Sequence, residues 1–158
     1  MATLEELKEI FSQYETTAQQ VWAKASPLAG MLGMSSDPRN HSCHEAFFGA
    51  VERWTAAFYS TNPMPEDAAQ AVRFILEAAK EREGKNTYWY LYAVHGNVRS
   101  LIPLLTEEDC RQLREYYDAS YPAIDRPPVQ REVYQLLRQY GGETEEPRSF
   151  LQKLFRKK

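Results

Sequence analysis

The sequence predicts an all-α protein, and three observations carry that expectation. The first is residue choice: 17 Ala, 14 Leu and 4 Met stand against 7 Val and 4 Ile. Alanine and straight-chain residues lose little rotamer freedom in a helix, whereas β-branched residues are stiff there and favour strands. The second is spacing. Apolar residues recur three and four apart in one segment after another, and no segment sustains the two-residue alternation of a strand. The third is punctuation, with capping residues or proline ahead of these segments and proline or glycine behind them.

Taken in order, Thr3 and Glu6 form a capping box that opens a first helix. Its stripe is Leu4, Leu7, Phe11, Tyr14, Ala18, Val21 and Ala25, with Ile10 and Trp22 beside it, and Ser26-Pro27 ends it. Residues 28–36 read as a loop. A second helix carries Phe47, Phe48, Val51, Trp54 and Phe58 on one face and runs to about Tyr59. It has two candidate starts. Ser42 with Glu45 forms a capping box and is the preferred one; Asp37 as cap with Pro38 at the first position is the other.

Asn62-Pro63-Met64-Pro65 connects to a third helix with Ala68, Ala71, Val72, Ile75, Leu76 and Ala79 on one face, stopped at Gly84. Asn86 or Thr87 caps a fourth, with Leu91, Val94, Val98, Leu101 and Ile102, ended by Pro103. Thr106 with Asp109 opens a fifth through Cys110, Leu113, Tyr117 and Tyr121. Pro127-Pro128 opens a sixth with Val129, Val133, Leu136, Leu137 and Tyr140, closed by Gly141-Gly142.

Helices joined by short loops lie antiparallel, so the expected architecture is a single-domain antiparallel bundle of about six helices with a short C-terminal amphipathic helix. The alternative is a short α-solenoid of helix pairs, because helix starts near Cys43, Glu66, Thr87, Glu107 and Pro128 recur about every 21 residues. The expected divisions are a helical body at 1–141, a polar linker at 142–147 and a basic amphipathic helix at 148–158. That last segment holds five basic residues and no acidic one, while the rest of the chain sets 14 basic residues against 22 acidic ones.

These features exclude several classes. A chain of 158 residues that is 43% hydrophobic and carries a formal charge of −3 has the makings of one core, not of a disordered segment. No apolar run reaches the roughly 20 residues of a membrane span. The charged start MATLEELKEIF is unlike a secretory signal, and two cysteines are too few for a disulfide framework, so a reducing, cytoplasmic setting is expected. An acidic body lacking repeated Arg or Lys with interleaved aromatics argues against nucleic acid as a partner. The phosphate-binding loops GxxxxGK[ST] and GxGxxG, the GxSxG turn, HExxH and paired CxxC are all absent, and no cofactor is implied.

Three groups of residues remain as candidate sites. Around the second helix start, His41, His44 and Glu45 share one face at i, i+3 and i+4 if the helix begins at Pro38, a spacing able to hold a metal together with His95. If it begins at Ser42 instead, Cys43 sits at the positive end of the helix dipole, where a thiol becomes reactive. Against both, His44 and His95 fall on the apolar faces of their helices, where a buried, hydrogen-bonded histidine needs no metal.

The second group is Tyr88, Trp89, Tyr90 and Tyr92, a candidate ligand pocket or partner surface on a central helix, with a further tyrosine-rich surface at Tyr116, Tyr117, Tyr121, Tyr134 and Tyr140. The third is the tail, where Phe150, Leu151, Leu154 and Phe155 share one helical face. This segment is expected to dock on the acidic body, with a secondary role as a recognition tail or a weak peripheral membrane contact. The function expected from sequence is therefore a non-catalytic interaction module with a protein partner or a second copy of itself. The alternatives are a metal-dependent bundle enzyme of hydrolase or thiol-transferase type using His41, His44 and His95, or a small-ligand sensor with an aromatic pocket.

Overall fold

The capping box at the start of the chain is closed in both directions. Glu6 N donates to Thr3 Oγ1 at 3.2 Å, and Thr3 N donates to Glu6 Oε2 at 3.0 Å. From this cap α1 runs over Leu4–Ala23 and buries Leu7, Phe11, Tyr14 and Ala18. The computed structural model describes residues 2–23, 38–81 and 87–143, with side chains at 2–20, 42–81 and 93–143. The predicted stops at Ser26-Pro27 and Gly84, the segment 28–36, the linker beyond Glu143 and the tail 148–158 lie outside the described residues.

The second helix, α2, spans Pro38–Ser60, so it starts at Pro38 and not at the preferred Ser42. Proline costs nothing at a first helical position, where its missing N–H would have no intrahelical partner. Ser42 then lies inside the helix. After α2 the backbone turns at Asn62, whose φ of 50° is the left-handed conformation that asparagine tolerates better than most residues.

The third helix, α3, spans Pro65–Glu81 and buries each residue of its predicted stripe, Ala68, Ala71, Val72, Ile75, Leu76 and Ala79, together with Ala78. The fourth, α4, spans Thr87–Leu101 and passes into a 3₁₀ turn at Ile102–Leu104. There Pro103, lacking an N–H, cannot continue the α-helical ladder. Thr106 Oγ1 accepts from Asp109 N at 3.1 Å and starts α5, Glu107–Ser120. A second 3₁₀ turn, Ala123–Asp125, precedes α6, Pro128–Tyr140. Gly142, at φ 79°, then reverses the chain, and Glu143 N reaches back to Arg138 O at 2.9 Å.

The described residues thus hold six α-helices and no strand. Contacts between facing residues fix the direction of the first pair. Tyr14 meets His44, Phe11 meets Phe47, and Thr3 meets Trp54, so positions fall along α1 as they rise along α2. In the last pair Tyr117 meets Gln130 and Gly141 lies against Arg111, again antiparallel. The main packing joins α1 to α2, α2 to α4, α3 to α4, α5 to α6 and α4 to α6, so that α4 touches α2, α3 and α6. Lighter contacts join α1 to α3 and α3 to α5.

The core is continuous from Leu7 to Leu137. The predicted tyrosine-rich surface of α5 and α6 is in large part interior. Tyr117 and Tyr121 are buried in a stacked pair 4.5 Å apart. Their hydroxyls are satisfied inside, Tyr117 Oη donating to Gln130 O at 3.3 Å and Tyr121 Oη to Leu76 O at 2.9 Å. A phenol whose polar end finds a carbonyl loses its reason to stay at the surface.

Candidate functional site

The seam between α1 and α2 is aromatic. Tyr14 stacks on Phe47 at 4.2 Å, Phe11 meets the edge of Phe47 at 5.1 Å, and Trp54 stacks on Phe58 at 4.7 Å. Two polar links cross it. Tyr14 Oη and His44 Nδ1 are 2.7 Å apart, and Trp54 Nε1 donates to Thr3 O at 2.8 Å. Burial raises the Tyr14 phenol above its ordinary range, and the neighbouring Cys43 raises it further.

Beside the seam, toward solvent, the two helices leave a depression. One part is a cavity of about 170 Å³ lined by Gln13, Tyr14 and Thr17 from α1 and by Cys43, Ala46 and Phe47 from α2. The other is a wider trough of about 560 Å³ lined by Ala2, Glu6 and Glu9 on one side and Arg53, Trp54 and Ala57 on the other. Ile10 and Ala50 line both parts. The depression as a whole exists because α2 places Ala46, Ala50 and Ala57 along one face, where larger residues would have closed over α1. Its floor is apolar, while its rim bears two carboxylates and one guanidinium.

The sequence-predicted site residues fall in different places. His44 is buried against Tyr14, and His95 is fully buried beside Tyr117 and Tyr121, their rings 6.1 and 5.4 Å away. Both rings thus occupy the core-facing positions expected of them, in the company of different helices. Glu45 is exposed. His41 lies on α2, with its side chain outside the described residues. Among the described residues no group of three or more His, Cys, Asp or Glu side chains comes together as a metal would require.

Cys43 is the sixth residue of α2, well inside the helix and not at its positive end. Burial pushes its thiol up, the opposite of what activation by the helix dipole needs. Tyr88, Trp89, Tyr90 and Tyr92 lie on α4, with side chains outside the described residues, as are Phe150, Leu151, Leu154 and Phe155 of the tail.

Sequence reasoning did not single out Ala46, Ala50, Arg53 and Ala57. The available signal was the i, i+4, i+11 spacing of three alanines beside the large residues Phe47 and Trp54. It also passed over Arg126, which is only 5% exposed and lies 4.1 Å from the ring centre of Tyr134 and 5.2 Å from that of Tyr117. No protein-family model, curated protein or solved structure matches the chain.

Proposed function

We propose that this chain is a non-catalytic helical interaction module, and that its working surface is the trough between α1 and α2. The partner it suits is a short amphipathic helix with basic residues flanking its apolar stripe. The observation supporting this reading is the trough itself, apolar at its floor and about 560 Å³ in volume, beside a cavity of about 170 Å³ and rimmed by Glu6 and Glu9 on one side and Arg53 on the other. A groove between two helices accepts a third through anchors at i, i+3 and i+4, and flanking carboxylates select for cations. The two described cysteines, Cys43 and Cys110, are buried free thiols, in keeping with the reducing cytoplasmic setting we propose.

The test is a titration of the full chain with a designed Leu/Lys amphipathic peptide, followed through the methyl resonances of Ala46, Ala50 and Ala57. Shifts concentrated at those three methyls, and lost in an Ala50→Trp variant that keeps its helical circular dichroism, are expected. Unperturbed methyls at saturating peptide would overturn the reading.

A further inference from the structure

Resting on that reading of the trough, we propose that its occupant is the C-terminal segment Arg148–Lys158 of a second copy of this chain, exchanged reciprocally in a dimer. Two observations select this segment. Its apolar residues Phe150, Leu151, Leu154 and Phe155 follow the i, i+1, i+4, i+5 spacing of one helical face, and its five basic residues suit an acidic body. The trough supplies the matching half, an apolar lining that includes Ile10 and Ala50, with Glu6 and Glu9 outnumbering the single cation Arg53 among its lining residues.

Reach decides between the chain's own trough and a neighbour's. Arg114 and Arg138 both pair with Glu143, the latter at 3.1 Å, and so fix where the tail leaves the α5/α6 pair. From Glu143 to Phe150 the backbone spans at most about 24 Å. The α1/α2 pair meets the rest of the fold through the face where Phe11 packs on Phe74 of α3, whereas the trough residues Glu6, Glu9, Arg53 and Ala57 are exposed to solvent. Getting there from α6 crosses α4 and then α2, two interaxial steps of about 8–10 Å each. It then rounds α2, a cylinder about 10 Å across, for a path above about 30 Å. The segment therefore reaches a partner's trough and not its own.

Reciprocal exchange makes the contact isologous and closed, and it seats two segments instead of one.

Two full-length preparations test this, one carrying Ala50→Cys and the other Leu154→Cys, mixed under mild oxidation. A disulfide between residues 50 and 154 of different copies is expected, at least tenfold in excess of any formed with a Gln112→Cys control on exposed α5. Sedimentation equilibrium of the unmodified chain should show a dimer, with Leu154→Asp weakening association at least tenfold while leaving the helical signal unchanged. A chain that stays monomeric up to several hundred micromolar would overturn the proposal. So would a 50–154 bond confined to single chains of the double variant, or a tail that engages anionic phosphatidylserine vesicles while the protein remains monomeric. If exchange fails but the designed peptide still shifts the Ala46, Ala50 and Ala57 methyls, the trough remains a docking surface for another partner. If the peptide fails too, both readings fall.

Discussion

Tyr14 and His44 meet across the first helix pair, phenol oxygen to ring Nδ1 at 2.7 Å, with both side chains buried. This contact sets the α1/α2 register beside the cavity wall, because Tyr14 also stacks on Phe47 and lines the opening next to Cys43. Tyr14→Phe keeps the ring and removes only the hydroxyl. A buried hydrogen bond lost on one side costs about 1–3 kcal/mol, and urea unfolding should show that loss with an unchanged m-value. No loss of stability would mean that this bond carries no net weight in the register.

Burial also dictates the response to alkali. The Cys110 thiol is pushed up from 9.0 to about 11, first by desolvation and then by Asp109 beside it. In the unfolded chain that thiol ionises near its ordinary value, so the unfolded state sheds the proton first. Stability is then fully present below about pH 9 and falls as pH rises toward 11. Tyr14 and Tyr117, also raised by burial, extend the fall above pH 10. Unfolding midpoints measured from pH 8 to 11 should decline, and Cys110→Ala should flatten the first part of that slope. Equal slopes in the two proteins would remove Cys110 from the account.

The chain reversal after α6 supplies a sharper local test. Gly142 holds φ 79°, and a Cβ there would collide with Glu107 Oε1. The carboxylate can swing aside, but the left-handed backbone conformation cannot be relieved, and it costs a residue with a Cβ about 1–2 kcal/mol. Gly142→Ala should therefore lower the unfolding free energy by that amount, with Gly142→Asn costing less. A neutral Gly142→Ala would mean that the turn is free to rearrange. Gly141 lies at φ −81°, so there the obstacle is space: its Cβ would approach Leu137 O to 2.7 Å.

How far the sequence foretold these features depends on whether a signal is local. Along α3 the three-four spacing is unambiguous, and its six predicted residues are all buried. Along α6 the same reasoning overextends the stripe. Tyr140 is 39% exposed, while Gln130 is buried where its carbonyl receives Tyr117. The positions of His44 and His95 on apolar faces were legible from periodicity. Their neighbours were not, because pairing across helices depends on register, which no single helix encodes. The start of α2 is ambiguous in the sequence because two valid caps stand within five residues of each other and nothing local ranks them. The trough was harder still. It is a deficit of side-chain volume at Ala46, Ala50 and Ala57, and a deficit becomes visible only once α1 lies alongside.

Arg126 is the strongest case of a residue whose role only the fold reveals. Its guanidinium is buried between the α5–α6 connection and the face of Tyr134. Nε donates to Tyr121 O at 2.9 Å, Nη2 donates to Asp118 Oδ1 at 3.0 Å, and Tyr134 Oη donates to the other Asp118 oxygen at 3.2 Å. One planar cation thus ties the end of α5, the connection and α6 together, using edge donors and ring face at once. Lysine keeps the charge but has neither the fork nor the flat surface. Arg126→Ala should cost about 2–4 kcal/mol, since it opens a cavity and strands the Tyr121 carbonyl. Arg126→Lys should recover less than half of that. Asp118→Asn, at a side chain 47% exposed, should cost only about 1 kcal/mol. A double-mutant cycle on Arg126 and Asp118 separates the ion pair from the stacking, and the coupling should account for the smaller share. If Arg126→Lys proved as stable as the parent, charge alone would be holding the connection, and the planar geometry would carry no weight.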